Sequence, residues 1–403
     1  MRLSIISFTQ NGYGLAGRLE EQLQGDCEEI CVFTKFSGAD PQEPAGEDVK
    51  KSKNVEVVTE PIARWAEEQM QSKNVLIFIG ACGIAVRAIA SSVKDKLTDS
   101  PVLVLDEKGR FVIPLLSGHV GGANALALRI AERIGAIPVI TTATDINEKF
   151  AVDVFAQKNR FAIMNRDGIA KISAKVLAGE TITISIDKKI FPEQVRNKKM
   201  EILFRQFPAY VQPVKYPPDG PVDILLSSEN FGENPESEIN TKALLYLKPK
   251  AYVIGVGCRR NTPWEKIEAA IAASLADAGI ARQEVRQIAS IDVKKDEAGI
   301  LEWSRRNRVE YVTFPAEALM AVPGVFTASA FVKKQVGVDN VCERAAVLAC
   351  DENARLIRRK QAYDGVTIAI ARRMQADMQE NRCEITRNEK HYILHRRDDC
   401  GYE

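Results

Sequence analysis

The residues best suited to chemistry in this sequence cluster in Pro114-Leu115-Leu116-Ser117-Gly118-His119-Val120-Gly121-Gly122-Ala123-Asn124. Only three histidines occur in the chain, and this one stands among glycines just before a helix-like run. An imidazole there exchanges protons near neutral pH, and backbone N–H groups at a helix start can stabilise a developing oxyanion. A histidine so placed can also merely cap or pack. The glycine density, which permits close backbone approach to a ligand, favours the chemical reading. His391 and His395, four apart in a charged tail without a third ligand nearby, read as surface residues.

Two further segments invite a ligand. Gly80-Ala81-Cys82-Gly83-Ile84-Ala85-Val86-Arg87 follows an apolar run and offers a helix start to an anion. Its glycines could equally do no more than turn the chain. Ile140-Thr141-Thr142-Ala143-Thr144-Asp145 ends another apolar run. Ligands gather at the carboxyl ends of parallel strands, so Gly80–Gly83, Gly118–Gly122 and Thr141, Thr142 and Asp145 are expected around one shared cleft. As an alternative, Asp145 caps the segment that follows it.

Later in the chain, Gly255-Val256-Gly257-Cys258-Arg259-Arg260 puts two fixed positive charges beside a helix start. Arginine pairs bidentately with carboxylate or phosphate, so this loop reads as an anion cradle. Ser290-Ile291-Asp292-Val293-Lys294-Lys295-Asp296-Glu297 ends the next strand and opens a helix, with a solvated charged loop as the plain alternative. Gly12-Tyr13-Gly14-Leu15-Ala16-Gly17 matches GxGxxG after a strand. The following strand ends in Thr34-Lys35 rather than an acidic residue, so only an NADP version of a dinucleotide site survives. Nucleophile-elbow, HExxH and Walker lysine motifs do not occur, which disfavours the common serine hydrolases, zinc proteases and P-loop NTPases.

Alternating apolar runs and helix-like segments must position these groups. Strands are predicted over 3–8, 30–33, 75–79, 102–105, 111–113 and 137–140, and helices over 15–23, 62–70 and 123–134. That order indicates a mostly parallel, doubly covered sheet over residues 1–145. Residues 146–248 carry a helix over 169–177, an alternating strand over 181–186, and then Pro208, Pro213, Pro217, Pro218 and Pro221. A smaller α+β middle region, insert or linker, is expected there. A second α/β unit spans 249–375, with strands at 252–257, 285–291, 311–314, 354–357 and 366–370. Thr262, Pro263 and Glu265 look like an N-cap, first turn and capping box for a helix reaching Ala278 and closed by Gly279. A charged tail follows over 376–403. The fold class is therefore α/β, two three-layer domains with a smaller α+β region between them.

Composition sets the outer limits. With 403 residues, two or three domains are expected at roughly 150 residues each. Lys and Arg number 55 against 54 Asp and Glu, a net charge of +1, which argues against gripping nucleic acid by bulk charge. The eight cysteines show neither CxxC nor disulfide-scaffold spacing, Cys27 and Cys31 lack further ligands nearby, and thiols of a cytoplasmic protein are the simpler reading. The first eight residues read as a strand rather than a secretory signal, and no apolar run suits a membrane span.

Three stretches together resemble the cobalt-precorrin-5A hydrolase family of anaerobic cobalamin (vitamin B12) biosynthesis. They are Gly80 to Arg87, the run from Val104 through Ser117-Gly118-His119-Val120-Gly121-Gly122-Ala123-Asn124, and Gly135 to Asp145. Gly255 to Arg260, Ser290 to Glu297, and Val336-Gly337 with Glu343 resemble that family's C-terminal domain. The likeness runs to about residue 372 and departs at Ser91-Ser92 and Ser100-Pro101. It implies opening of the δ-lactone of cobalt-precorrin-5A and loss of C20 with its methyl group as acetaldehyde, giving cobalt-precorrin-5B. Cobalt then belongs to the substrate, with no metal site or cofactor required of the protein. Implied partners are this tetrapyrrole and, for handing on the intermediate, other enzymes of the pathway.

On this reading His119 is the acid/base, N–H groups near Gly121 and Gly122 face the oxyanion, and Asp145 orients His119 or the water. The ring would lie between the two α/β units. Gly80, Cys82, Gly83, Arg87, Ser117, Gly118, Asn124, Thr141, Thr142, Gly257, Cys258, Arg259, Arg260, Ser290, Asp292, Lys294 and Glu297 would contact it. A non-catalytic carrier of the same tetrapyrrole is the rival reading, distinguished by binding without aldehyde release.

Overall fold

The five apolar residues Val75–Ile79 are buried along their whole length, as a strand covered on both faces must be. A computed structural model describes residues 2–36, 55–95, 98–119, 121–229, 243–350 and 354–373. The charged tail expected from 376, with His391 and His395, lies outside these.

The N-terminal unit holds strands β1 (Arg2–Ser7), β2 (Glu29–Thr34), β3 (Val55–Val57), β4 (Val75–Ile79), β5 (Val102–Leu105), β6 (Phe111–Leu116) and β7 (Ile137–Pro138). They form one sheet in the order β3-β2-β1-β4-β5-β6-β7. Helices α1 (Gln10–Leu23), α2 (Ile62–Gln71), α3 (Cys82–Ile89) and α4 (Ala123–Ile134) cover it. On one face Trp65 packs edge-on against Phe33 and Phe78, with ring centroids 5.3 and 5.8 Å apart. On the other face α1 and α4 close over Leu3, Ile77 and Leu103.

β1 to β5 are parallel, but β6 runs antiparallel to β5, and β7 follows β6. Only residues 106–110 join β5 to β6. A parallel return needs a crossover of a dozen or more residues, whereas five make a hairpin. Asp106 braces that turn by accepting from the N–H groups of Lys108 (3.0 Å), Arg110 (2.8 Å) and Phe111 (2.8 Å). The reversal carries the end of β6 to the edge of the sheet opposite the ends of β4 and β5.

The middle region is more regular than its prolines suggest. After α5 (Ala143–Ile146) and α6 (Val152–Lys158) come β8 (Phe161–Ile163), α7 (Asp167–Leu177), β9 (Ile182–Ile186), α8 (Arg196–Phe204), β10 (Val211–Val214), β11 (Val222–Leu226) and β12 (Ala243–Pro249). The sheet order is β10-β9-β11-β12-β8, parallel except at β8. Pro213 is tolerated because β10 is an edge strand. This sheet has its own core, including Val152, Phe155, Ile184 and Leu245.

The C-terminal unit contains β13 (Tyr252–Cys258), α9 (Trp264–Asp277), β14 (Val285–Ile291), α10 (Ala298–Asn307), β15 (Glu310–Phe314), α11 (Ala316–Ala321), α12 (Ala330–Val336), α13 (Val341–Ala349), β16 (Ala354–Tyr363) and β17 (Val366–Arg373). Its sheet order is β15-β14-β13-β17-β16, parallel over β13 to β15 and closed by an antiparallel hairpin. Thr262 is not the cap of α9. Its hydroxyl donates to the Arg259 carbonyl (2.8 Å) and its N–H to Glu297 (3.2 Å), so the helix starts one residue later, after Pro263.

GxGxxG lies inside a helix rather than in a phosphate-binding loop. α1 starts at Gln10, capped by Thr9, whose hydroxyl accepts from the Gly12 N–H at 3.1 Å. With Gly12 and Gly17 both buried, no glycine loop is left to cradle a pyrophosphate, and the NADP reading falls. Among the described residues no helix is long and apolar enough to cross a membrane.

α13 crosses β13 so closely that a Cβ on Gly255 would fall 1.8 Å from the Cys342 carbonyl oxygen. Backbone meets backbone there, so neither side can yield cheaply. Gly255→Ala should therefore destabilise the protein by about 3 kcal/mol. Urea unfolding followed by the fluorescence of Trp264 and Trp303, both in this unit, measures it. An unchanged midpoint would refute the packing of α13 on β13.

Candidate active site

The loop after β6 is shaped by contacts that leave room for little but glycine. Ser117 sits at φ 56°, in the left-handed region, and its hydroxyl donates to the Asp99 carbonyl at 2.8 Å. A Cβ on Gly121 would lie 2.3 Å from the Ser117 Cβ, and one on Gly118 2.6 Å from the Asn124 Oδ1. Gly122, at φ 85°, caps α4. The first N–H groups of this corner are consumed within it. Gly122 donates to the His119 carbonyl (2.9 Å), Ala123 to Ser117 (3.2 Å) and Asn124 to Gly118 (3.0 Å). The Gly122 N–H, one of the groups expected to face an oxyanion, is thus engaged by the His119 carbonyl.

His119 lies between two carboxylates. Its Nε2 is 2.9 Å from Asp145 Oδ2 and 3.1 Å from the Thr144 hydroxyl, while Nδ1 is 3.6 Å from Asp153 Oδ2. Asp145 Oδ2 also accepts from Asn124 Nδ2 at 2.5 Å, and the same amide reaches the Thr142 hydroxyl at 3.0 Å. The Asp153 side chain is 10% exposed and that of Asp145 39%, so one carboxylate anchors the ring from inside and the other faces solvent. The Asp153 carboxylate, assisted by Asp145, raises the His119 pKa above its ordinary 6.5 against the opposing effect of burial. Burial works to raise Asp153, but the His119 contact together with the Val154 and Asp153 backbone N–H groups holds the carboxyl below its ordinary 3.8. A protonated imidazole, hydrogen-bonded through Nε2 and ion-paired to Asp153 through Nδ1, fits this arrangement.

Asp145 therefore belongs to the cluster within α5 rather than only capping it. Asp153 was not singled out from the sequence. It sits in the apolar run Ala151-Val152-Asp153-Val154-Phe155-Ala156, and an acid in such a run was the available signal. The expected single cleft is not formed. Leu116 pairs with Val102 at the start of β5, whereas Ile79, just before Gly80, pairs with Leu105 at its end. Gly80, Cys82, Gly83 and Arg87 hence occupy the sheet edge opposite His119, because β6 is reversed. Cys82 packs against the core there, and Arg87 is exposed. Thr141 is exposed near the His119 edge.

The second cluster forms a cavity of about 590 Å³ at the carboxyl ends of β13 and β14. Gly257, Cys258, Arg259, Arg260, Ser290 and Lys294 all line it. Two of these are already engaged: the Ser290 hydroxyl donates to the Val256 carbonyl (2.7 Å), and Lys294 Nζ pairs with buried Glu297 (2.7 Å). Glu297 faces Lys294 and Thr262 rather than the cavity, and Asp292 is not among the lining residues. Burial pushes up the Cys258 thiol, and drives that of Cys342 up to about 11, so neither is an activated nucleophile. Every residue lining this cavity belongs to the C-terminal unit, whereas a second cavity, lined by Lys73, Ser92 and Asp99 on one side and Trp264, Glu268 and Arg306 on the other, lies between the two α/β units.

Residues 64–145 match the family model described as the cobalamin synthesis G N-terminal region, and residues 252–371 match the cobalamin synthesis G C-terminus. The cobalt-precorrin-5A hydrolase of Salmonella typhimurium is 35% identical over 309 residues, 76% of this chain and 84% of that protein. The chain belongs to the cobalt-precorrin-5A hydrolase family. The Priestia megaterium member is 29% identical over 369 residues, covering 91% of this chain and 94% of its own. Within this hydrolase family frame, the N-terminal match ends at Asp145, so the helix that brings Asp153 lies beyond it.

The charge cluster makes stability depend on pH in a defined way. A raised His119 pKa stabilises the fold fully below 6.5, and that contribution is lost as pH climbs through the raised value. The lowered Asp153 pKa stabilises above 3.8, and its contribution is lost as pH falls through the lowered value. His119→Gln should therefore cost roughly 1–3 kcal/mol between these limits, with the difference from wild type shrinking on either side. Urea denaturation of both proteins across pH tests this. A pH-independent difference would mean that His119 contributes packing alone.

Proposed function

We infer that the chain is a cobalt-precorrin-5A hydrolase of cobalamin biosynthesis, and we propose that His119, Asp145 and Asp153 carry its proton transfers. Water adds to the δ-lactone carbonyl, and the ring oxygen departs from the tetrahedral intermediate. That oxygen stays on C20, which becomes the aldehyde carbon as its bond to the macrocycle breaks. The macrocycle carbon keeps the electron pair and takes a proton, and acetaldehyde leaves.

The observation that carries the assignment is the position of His119 between an inner and an outer carboxylate. Asp153 holds the imidazole charged and in place, as the buried acid of a triad does. The resting imidazolium then serves as the acid that protonates the departing oxygen. Asp145, solvent-facing and steadied by Asn124, orients the attacking water and receives its proton. Among the described residues Cys27, Cys31, Cys82, Cys258 and Cys342 form no disulfide, which supports a cytoplasmic setting.

Acetaldehyde release from cobalt-precorrin-5A, read with a coupled alcohol dehydrogenase, is the test. His119→Ala should lower kcat by about 10²–10⁴-fold. Because the acid form is required, activity should fall as pH rises through the raised His119 pKa. Asp153→Asn should move that alkaline limb to lower pH, a change that simple loss of structure does not produce. An unmoved limb would remove Asp153 from the role, and tetrapyrrole binding without aldehyde from wild type would favour a carrier.

A further inference from the structure

The C-terminal cavity combines free positive charge with exposed apolar surface, and neither has a use within the fold. Arg259 and Arg260 are exposed at the end of β13 and, among the described residues, neither is held by an ion pair. Lys360, on β16, lines the same cavity. No Asp or Glu is among the lining residues. Asp364, whose carboxyl is held low by Lys266 with a smaller contribution from Arg259, accepts from Lys266 Nζ through Oδ2 at 2.6 Å. Lys294 differs from these cations, since Glu297 neutralises it.

Apolar side chains complete the rim. Phe331 is 73% exposed and Val293 61%, and both line the cavity. Phe331 belongs to α12, which has no buried residue at all. The segment leading into α12 is nevertheless fixed. Glu343, fully buried, accepts from the Thr327 N–H and hydroxyl, each at 2.8 Å, and from the Lys360 N–H at 2.7 Å. One carboxylate thus sets the base of the apolar rim and the strand carrying Lys360.

We propose that this cavity holds the periphery of the macrocycle, with Arg259, Arg260 and Lys360 pairing with its carboxylate side chains and Phe331 and Val293 lying against its face. The volume suits part of a large flat ligand, and planar guanidinium groups suit carboxylates. The rest of the ring, with its lactone, stays outside the cavity. This deepens the hydrolase reading and rests on its substrate class, but it concerns a different unit from His119 and gives the C-terminal charges a purpose.

The probe is cobyrinic acid, a cobalt corrinoid whose side chains end in free carboxylates, titrated by absorbance into the full chain. Cobinamide, with those side chains amidated, is the comparison that lacks carboxylates. Arg259→Ala/Arg260→Ala should weaken cobyrinic acid by about tenfold or more, and Phe331→Ala by several-fold, with cobinamide bound weakly throughout. All three side chains are exposed, and unchanged thermal melts verify that the variants fold. Equal affinity in the double-arginine variant, or equally tight cobinamide, would overturn the proposal. The two readings can fail separately. Acetaldehyde release with KM unchanged in the arginine variant would sink the cavity and leave the hydrolase. Arginine-dependent binding without acetaldehyde would do the reverse.

Discussion

A carboxylate cannot be buried cheaply without a cation, and Asp153 finds its cation in His119. Much of the N-terminal architecture follows from bringing that pair together. The imidazole needs a backbone corner tight enough to project it, which Ser117, Gly118, Gly121 and Gly122 provide. Its outer nitrogen needs a second acceptor, which α5 presents as Asp145 with Asn124 holding it in place. The carboxylates sit at different depths, and this difference separates an anchor from a group that solvent can reach.

The two polar centres divide the work by chemistry. The His119 cluster is small and proton-exchanging, suited to one bond at a time. The C-terminal cavity is broad and cationic, suited to holding a ligand with many carboxylates. The two units that carry them are joined at Asp99, whose carbonyl accepts from Ser117 at 2.8 Å and from Arg308, just after α10, at 2.6 Å. The histidine loop and the C-terminal unit are therefore tied to one backbone oxygen.

Much of this was legible in the residues, for reasons that can be named. Val75–Ile79 read as a doubly buried strand because it is apolar throughout, and His119 stood out because glycines surround it. The reversal of β6 is also written in the chain, in the short link Asp106-Glu107-Lys108-Gly109-Arg110, but apolar periodicity carries no direction and indicates a mostly parallel sheet without marking which strand turns back. Asp153 was harder, since its neighbours mark a core helix and nothing local ties it to a histidine 34 positions earlier. Glu297 shows the opposite failure. It lies in a charged loop that resembles a binding segment, yet the pull of Lys294 and the Thr262 N–H turns it inward.

The origin of Asp153 bears on how the protein is made. α6 is fastened to the middle core through Val152 and Phe155, and that core also requires β12. Domains emerging from a ribosome tend to fold in order from the N-terminus. The N-terminal sheet can thus close while His119 still lacks its inner partner, and the charge cluster is completed only after residues near 249 have been synthesised. A nascent chain released before that point would carry a finished first sheet and a histidine with no buried carboxylate to hold it.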